Sequence, residues 1–349
     1  MSRRLAVVLF NLGGPDRIDA VKPFLLRLFR DPAILRVPVF IRPLLARLIA
    51  RRRLPTARAN YALLGGGSPL LRLTGDQARA LELALAGPEI EVKAFIAMRY
   101  WNPLSDETAR AVRDWQPDSV LLLPLYPQYS TTTTGSSLTA WREAAARVGL
   151  AAPTTAICCY PGNAQFASAT AAIVARTYGE ALATLSGRAP LRVLFSAHGL
   201  PEVIVRGGDP YQFQVGRTVA AVLAAWGEEV DSVICYQSRA TPQRWIEPST
   251  EEEIRRAAAD GVAVLVVPIA FVSEHSETLV ELDVEYRHLA EGLGVPGYFR
   301  VPAQNADPNF IAALAAIGRE ALGQGVGLRG EKVCGAKHAQ CPLRLATAA

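Results

Sequence analysis

The chain has 349 residues, 50% of them hydrophobic, which is enough to bury a large core and long enough for two lobes. Its net charge of +5 is modest, and the arginines gather at Arg42, Arg47, Arg51, Arg52, Arg53 and Arg58 instead of lining a broad face, so nucleic acid is not an expected partner. No run reaches the roughly 18 apolar residues of a membrane span, and the opening Arg3-Arg4 with its short apolar run meets Gly13-Gly14-Pro15 in place of a cleavage site, which predicts a cytoplasmic chain.

Apolar strands alternate with helical patterns. The first half reads as strand 5–11, helix 19–29, helix 76–86, strand 91–97, helix 105–114, strand 119–124 and helix 137–148. The second repeats the scheme: strand 154–157, helix 163–185, strand 191–195, helix 210–225, strand 230–235, helix 250–259, strand 262–269, helix 276–291 and helix 307–321. This order predicts an α/β protein of two similar doubly wound lobes, each a mainly parallel sheet flanked by helices. Pro153, Pro161 and Gly162 put the boundary near 150, giving lobes over 1–150 and 151–325 and a cysteine-containing tail over 326–349.

Within the first lobe, residues 34–54 carry Val39, Phe40, Ile41, Leu44, Leu45, Leu48 and Ile49 at helical spacing among arginines, with Pro38 and Pro43 as breaks. Such a stripe packs on a core or rests on an anionic membrane surface. The loop Leu64-Gly65-Gly66-Gly67-Ser68-Pro69 lacks the Gly-Lys-Ser/Thr of a phosphate-binding P-loop. Residues 126–137 place Tyr126, Tyr129 and a run of hydroxyls after a strand, as a ligand loop would, with Ser136 or Ser137 expected to cap the next helix.

The densest chemistry follows the apolar run 261–271. Glu274, His275, Glu277, Glu281, Asp283 and Glu285 crowd one short segment with no Lys or Arg among them. On a helix Glu277, Glu281, Glu285 and His288 share a face, and like charges so placed repel unless solvent, a proton or a divalent cation relieves them. The preceding strand should end where open α/β sheets bind ligands. A second strand, 191–195, runs into Ser196-Ala197-His198-Gly199-Leu200-Pro201, where Gly and Pro turn the chain and leave His198 at a strand end. Two strands of one sheet that deliver imidazole and carboxylate at the same end can hold Fe²⁺ or Zn²⁺ or shuttle protons near neutral pH.

Five cysteines without a secretion signal argue against a disulfide framework. Cys235 reads as a buried structural thiol, whereas the tail with Cys334, His338 and Cys341 has few apolar anchors and suits a metal clip.

Together these pieces resemble ferrochelatase, over nearly the whole chain. The resemblance rests on Asn11-Leu12-Gly13-Gly14-Pro15, Gly65-Gly66-Gly67-Ser68-Pro69, Met98-Arg99-Tyr100, Tyr126-Pro127-Gln128-Tyr129-Ser130, Thr133-Thr134-Gly135-Ser136-Ser137, Ser196-Ala197-His198-Gly199-Leu200-Pro201, Cys235-Tyr236-Gln237-Ser238-Arg239 and the segment from His275 to Tyr286. It implies insertion of Fe²⁺ into protoporphyrin IX, the last step of haem synthesis, in a porphyrin cleft between the lobes. It further implies apolar lips at 34–54 resting on the inner membrane, and a homodimer is compatible with it. His198 and Glu277 match the metal-insertion pair, with His198 as proton acceptor, Glu277 as metal ligand or second acceptor, His275 as support and Glu281 with Glu285 as a relay. Leu12, Arg99, Tyr100, Tyr129 and Ser130 match positions that face the macrocycle or its propionates. Cluster-bearing members hold a 2Fe-2S cluster with one mid-chain cysteine and three near the C-terminus. Here the candidates are Cys158, Cys159, Cys334 and Cys341, and Ala336 and Lys337 stand where a further ligand is expected. Competing readings are a coproporphyrin ferrochelatase or cobaltochelatase, a non-catalytic haem carrier, and a periplasmic-type binding protein, which would need an export signal.

Overall fold

The computed structural model describes residues 2–239 and 243–345, so the last four residues of the expected tail lie outside the described chain. The fold divides into two units: the chain up to Cys159 together with Leu314–Gly330, and Tyr160–Ala313 together with the chain from Glu331 on. In chain order the first unit holds β1 (Arg3–Asn11), α1 (Val21–Arg30), α2 (Arg42–Leu63), α3 (Leu70–Leu85), β2 (Ile90–Met98), α4 (Ser105–Trp115), β3 (Ser119–Pro124), α5 (Thr134–Val148) and β4 (Thr154–Ile157). The second holds α6 (Ala164–Leu185), β5 (Leu191–His198), α7 (Glu202–Arg206), α8 (Tyr211–Trp226), β6 (Ser232–Gln237), α9 (Thr250–Asp260), β7 (Ala263–Pro268), a π-helix over Glu277–Glu285, α10 (Tyr286–Gly292) and β8 (Tyr298–Arg300). Helix α11 (Pro308–Gly323) passes from the second unit to the first, β9 (Gly327–Arg329) belongs to the first, and α12 (Pro342–Leu345) belongs to the second.

Each unit is built on a parallel sheet, with strand order β2-β1-β3-β4-β9 in the first and β6-β5-β7-β8 in the second. Both orders reverse direction beside their first strand, so a switch point lies between β1 and β3 and another between β5 and β7. Ligands of open α/β sheets bind outside the strand carboxyl ends at such points.

Parallel strands covered on both faces read as continuous apolar runs. Accordingly β3 and β7 are buried at every position. In the second unit Phe195, Leu265 and Val267 pack one face of the sheet against α6 and α8 through Val174, Val215 and Val219. Leu194, Val264 and Val266 pack the other against α9 and α10 through Ile254, Ala257 and Ala290. This double layer anchors the strand ends from which the site side chains emerge.

The structure differs from the sequence reading in several elements, each for a local reason. Helix α2 begins at Arg42 with Pro43 in its first turn, where a missing N–H costs nothing, and continues through Pro55 to Leu63. Helix α3 starts at Leu70, earlier than the periodicity suggested. Helix α5 starts at Thr134, so Ser136 and Ser137 lie inside it and neither caps it. The short β8, β9 and α7 carry too few residues for a periodic signal. The division between units falls at Cys159 and Tyr160, because β4 pairs with β3 and extends the first sheet beyond residue 150. The start of the tail is likewise strand β9, paired to β4.

Candidate active site

His198 is the last residue of β5, and its neighbour in the parallel register is Gln237, the last residue of β6. The following Gly199 is required by close packing, since a Cβ there would stand 2.8 Å from the Gln237 carbonyl oxygen and 3.1 Å from the Trp245 ring. His198 Nδ1 lies 2.6 Å from the Gly199 carbonyl oxygen. A carbonyl only accepts, so Nδ1 carries the proton, and Nε2 is turned toward Glu277 Oε1 at 3.6 Å.

Glu277 opens the π-helix after β7, and its other oxygen, Oε2, lies 3.2 Å from His275 Nε2. One carboxylate thus bridges two imidazoles. Phe271 walls the pair, its ring 4.5 Å from His275 and 6.4 Å from His198 between centroids. Burial alone would strip the charge from His198, but the Glu277 carboxylate outweighs it and, with the hydrogen bonds to Glu277 and Gly199, raises the imidazole to about 9. Burial likewise opposes ionisation of Glu277, and the two histidines beside it hold it well below the usual carboxylate range. Both shifts favour an imidazolium against a carboxylate at neutral pH.

Glu281 lies further along the π-helix, where its Oε2 accepts from the Ser238 hydroxyl and from Gln237 Nε2 at 3.1 Å, and its Oε1 from the Tyr286 hydroxyl at 3.0 Å. Burial and the Glu277 charge push the Glu281 carboxyl upward despite these donors. The site therefore sets one ionised carboxylate beside another that holds a proton more readily. Gln237 is itself oriented, since its Oε1 accepts from Ser196 at 2.8 Å.

Of the acidic stripe, Glu277 and Glu281 enter the site, whereas Glu285 and His288 are exposed. Two other acids of the segment are answered from another strand: Arg300 of β8 pairs with Glu274 at 2.8 Å and with Asp283 at 2.6 Å. Arg300, Gln237, Ser238 and Tyr286 escaped the sequence reading as site residues. For Gln237 and Ser238 a signal existed, because a strand adjacent to that of His198 must end beside it.

In the first unit Arg99 follows β2 and is held by Asp31, 2.7 Å from its guanidinium, and by Ser136 Oγ at 2.6 Å. Tyr100, buried beneath the Arg99 guanidinium, donates to the same Asp31 oxygen at 2.8 Å. Tyr100 therefore supports Arg99 from the core and presents no surface to a ligand, contrary to the expectation of a macrocycle contact. Arg99 and Ser136 line a cavity of about 470 Å³ with Asp31, Thr131 and Arg147. Tyr129 and Ser130 are buried as well, and Leu12 is half-buried. Gly135 leaves room for the Tyr129 hydroxyl, which a Cβ would meet at 2.7 Å.

Residues 4–322 match the family model described as ferrochelatase. The chain belongs to the ferrochelatase family. It is 52% identical over 349 residues to a protein named ferrochelatase from Caulobacter vibrioides, covering 99% of each chain. It is 52% identical over 344 residues to one from Phenylobacterium zucineum, covering 98% of each. Among solved structures it resembles SirB from Bacillus subtilis with Fe³⁺, with a TM-score of 0.52 at 12% identity, covering 93% of this chain and 99% of that one. It also resembles DR2241 from Deinococcus radiodurans, described as similar to chelatases, with a TM-score of 0.50 at 14% identity, covering 99% of this chain and 60% of that one. At such identities these two likenesses show the chelatase fold alone.

The ferrochelatase resemblance also implied a cluster, and the cysteines bear on it. Cys158 and Cys159 are buried at the end of β4 with their sulfurs 3.0 Å apart. Cys334 receives Gln214 Nε2 at 3.2 Å. The Cys334 side chain hydrogen-bonds Cys341 and, against burial, lowers the Cys341 thiol to about 6. His338 stacks on Phe213 at 4.7 Å. Among the described residues no three His, Cys, Asp or Glu side chains gather into a group that could hold a metal. Cys235 is fully buried and hydrogen-bonded by Thr250, and burial pushes its thiol up to about 12, as expected of a structural cysteine.

Proposed function

We propose that the protein is a lyase that inserts Fe²⁺ into protoporphyrin IX, releasing two protons, at the last step of haem biosynthesis. The observation that carries this reading is His198 Nε2 facing the Glu277 carboxylate at the end of β5, in a chain of the ferrochelatase family.

Metallation must remove two pyrrole N–H protons while Fe²⁺ exchanges its water for ring nitrogens. Before substrate arrives His198 is charged and cannot act as a base. Fe²⁺ approaching Glu277 brings positive charge beside the imidazolium and lowers its proton affinity, by the same electrostatics through which Glu277 raised it. The freed Nε2 then accepts a pyrrole proton, while the Nδ1 hydrogen bond to Gly199 keeps the ring in the one productive tautomer. His275 holds Glu277 from the opposite side, and Glu281 receives protons from the pair. We assign this chemistry to the second unit. In the first, Arg99 suits a propionate, with Leu12, Tyr129 and Ser130 shaping its surroundings and Tyr100 as a positioning residue acting through Asp31.

No helix among the described residues is long and apolar enough to cross a membrane. We propose instead that residues 39–53 rest on one. Val39, Phe40, Leu44 and Leu48 are 62% to 78% exposed, and Arg47, Arg51, Arg52 and Arg53 stand exposed beside them, a pairing that suits an anionic lipid surface and a greasy substrate. A 2Fe-2S cluster is not part of the proposal, because the thiols come together as pairs and no described group reaches three ligands.

The test is anaerobic incubation of the purified protein with Fe²⁺ and protoporphyrin IX, followed by absorption. Conversion of the free-base porphyrin spectrum to that of haem, over many turnovers, is expected. Stoichiometric binding of haem without turnover of free porphyrin would favour a carrier, and faster reaction with Co²⁺ or with coproporphyrin would favour the neighbouring chelatase activities.

A further inference from the structure

Two of the side chains that hold Glu281 also line a cavity. Ser238 donates to Glu281 Oε2 and Tyr286 to Oε1, and both line a cavity of about 200 Å³ on the second unit, together with Arg239, Glu251, Glu252 and Arg255. Arg239 pairs with Glu252 at 3.4 Å, and their side chains, 42% and 52% exposed, set the cavity against bulk water. On its other side Gln237 Nε2 donates to Glu281 at 3.1 Å and stands 3.4 Å from the Glu277 backbone carbonyl oxygen, and His198 and Glu277 are close enough for Glu281 to feel their charges. Glu281 therefore has the site on one flank and cavity-lining side chains on the other.

Ser238 reaches it from an unusual backbone. Its φ is +66°, in the left-handed region that residues with a Cβ rarely adopt, and such conformations persist where the surrounding structure holds them. Here the left-handed turn ends β6 at Gln237 and sends the next side chain back onto Glu281.

We propose that Ser238 is the proton outlet of the site, passing protons collected by His198, Glu277 and Glu281 to the water of this cavity. The inference rests on the metallation reading. Protonated Glu281 donates from its carboxyl to Ser238 Oγ as the hydroxyl gives its own proton to a cavity water. One O–H bond forms as the other breaks, and the hydroxyl then rotates back. Each insertion of Fe²⁺ sends two protons along this route. Tyr286 serves a different purpose, because its phenol stays protonated and fixes the second oxygen of Glu281. On the cavity side stand the carboxylates of Glu251 and Glu252, the latter held by Arg239 and the Ser249 backbone, and Arg239 and Arg255 keep that wall from becoming wholly anionic.

The experiment compares wild type, Ser238→Gly and Tyr286→Phe in steady-state insertion of Fe²⁺ into protoporphyrin IX, at low and high concentrations of imidazole as a small proton carrier. Glycine adopts the left-handed backbone without strain, so Ser238→Gly removes the hydroxyl alone. The expected result is a kcat lowered about a hundredfold, the low end for a positioned proton-transfer group, with KM for porphyrin unchanged and much of the rate recovered as imidazole is raised. Tyr286→Phe should lose less and gain nothing from imidazole. A Ser238→Gly enzyme as fast as wild type, or one whose loss imidazole does not relieve, overturns the outlet while leaving the metallation reading intact. Failure of the wild type to metallate overturns that reading itself.

Discussion

The two units share one order of their first four strands, yet they balance their buried carboxylates in opposite ways. In the first, Asp31 accepts from Arg99, Tyr100 and Ser136 together, so a buried carboxylate is balanced by a permanent cation and two hydroxyls. In the second, Glu277 is balanced only by histidines, whose charge can be withdrawn, and its neighbour Glu281 is pushed toward its protonated form. A guanidinium gives a fixed structure, whereas an imidazole gives a proton that can be moved. The fold supplies the position, and the type of cation decides whether that position can do chemistry.

The largest effect expected from breaking this contrast is at His198. His198→Ala should lower kcat for metallation by roughly 10²- to 10⁴-fold while porphyrin binding, followed by fluorescence quenching, changes little. Turnover within about tenfold of wild type would remove His198 from the mechanism.

Breaking the first unit should be felt in stability. Asp31→Ala strands Arg99 and the buried Tyr100 hydroxyl, and loss of one partner of a buried pair costs about 3 kcal/mol. Denaturant unfolding checks this, and a loss below about 1 kcal/mol would mean that Arg99 finds water instead.

Along the π-helix, Glu277→Gln should slow metallation far more than Glu285→Gln, because Glu277 bridges two imidazoles and Glu285 is exposed. Equal losses in kcat would make the whole stripe a conduit. The smallest effect is expected at Cys235→Ser, a buried thiol with no part in the site, where activity should be unchanged and stability lowered by about 1 kcal/mol or less.

Much of this was legible before any coordinates, and the parts that were not share a cause. The runs 119–124 and 262–269 read as doubly buried strands because parallel sheets covered on both faces leave no polar alternation, and β3 and β7 are indeed buried throughout. His198 and Glu277 drew attention as a strand-end imidazole before Gly and Pro and as the start of an acidic run, and the structure brings the two side chains together. The π-helix was not legible, since the four-residue spacing of its acids lies close to one turn of an α-helix and of a π-helix alike. Arg300 was illegible because it answers the acidic segment from β8, a three-residue strand, and Asp31 because its partner Arg99 is far away in sequence. Pairing across sequence distance is set by sheet order, which local patterns do not encode.

The central claim is that Glu277 keeps His198 charged until a metal displaces the proton. A folded pKa raised above the unfolded 6.5 stabilises the protein fully below about 6.5, and that contribution is lost as pH rises through about 9. Glu277, shifted downward, contributes fully above its usual 4.5 and loses that contribution only in acid. The direct measurement is an NMR titration of the His198 imidazole in wild type, in Glu277→Gln, and in wild type with Zn²⁺ as a diamagnetic substitute for Fe²⁺. A midpoint near 9 that falls toward or below 6.5 with either the substitution or the metal is the predicted result, and an ordinary midpoint near 6.5 in all three samples would contradict the account.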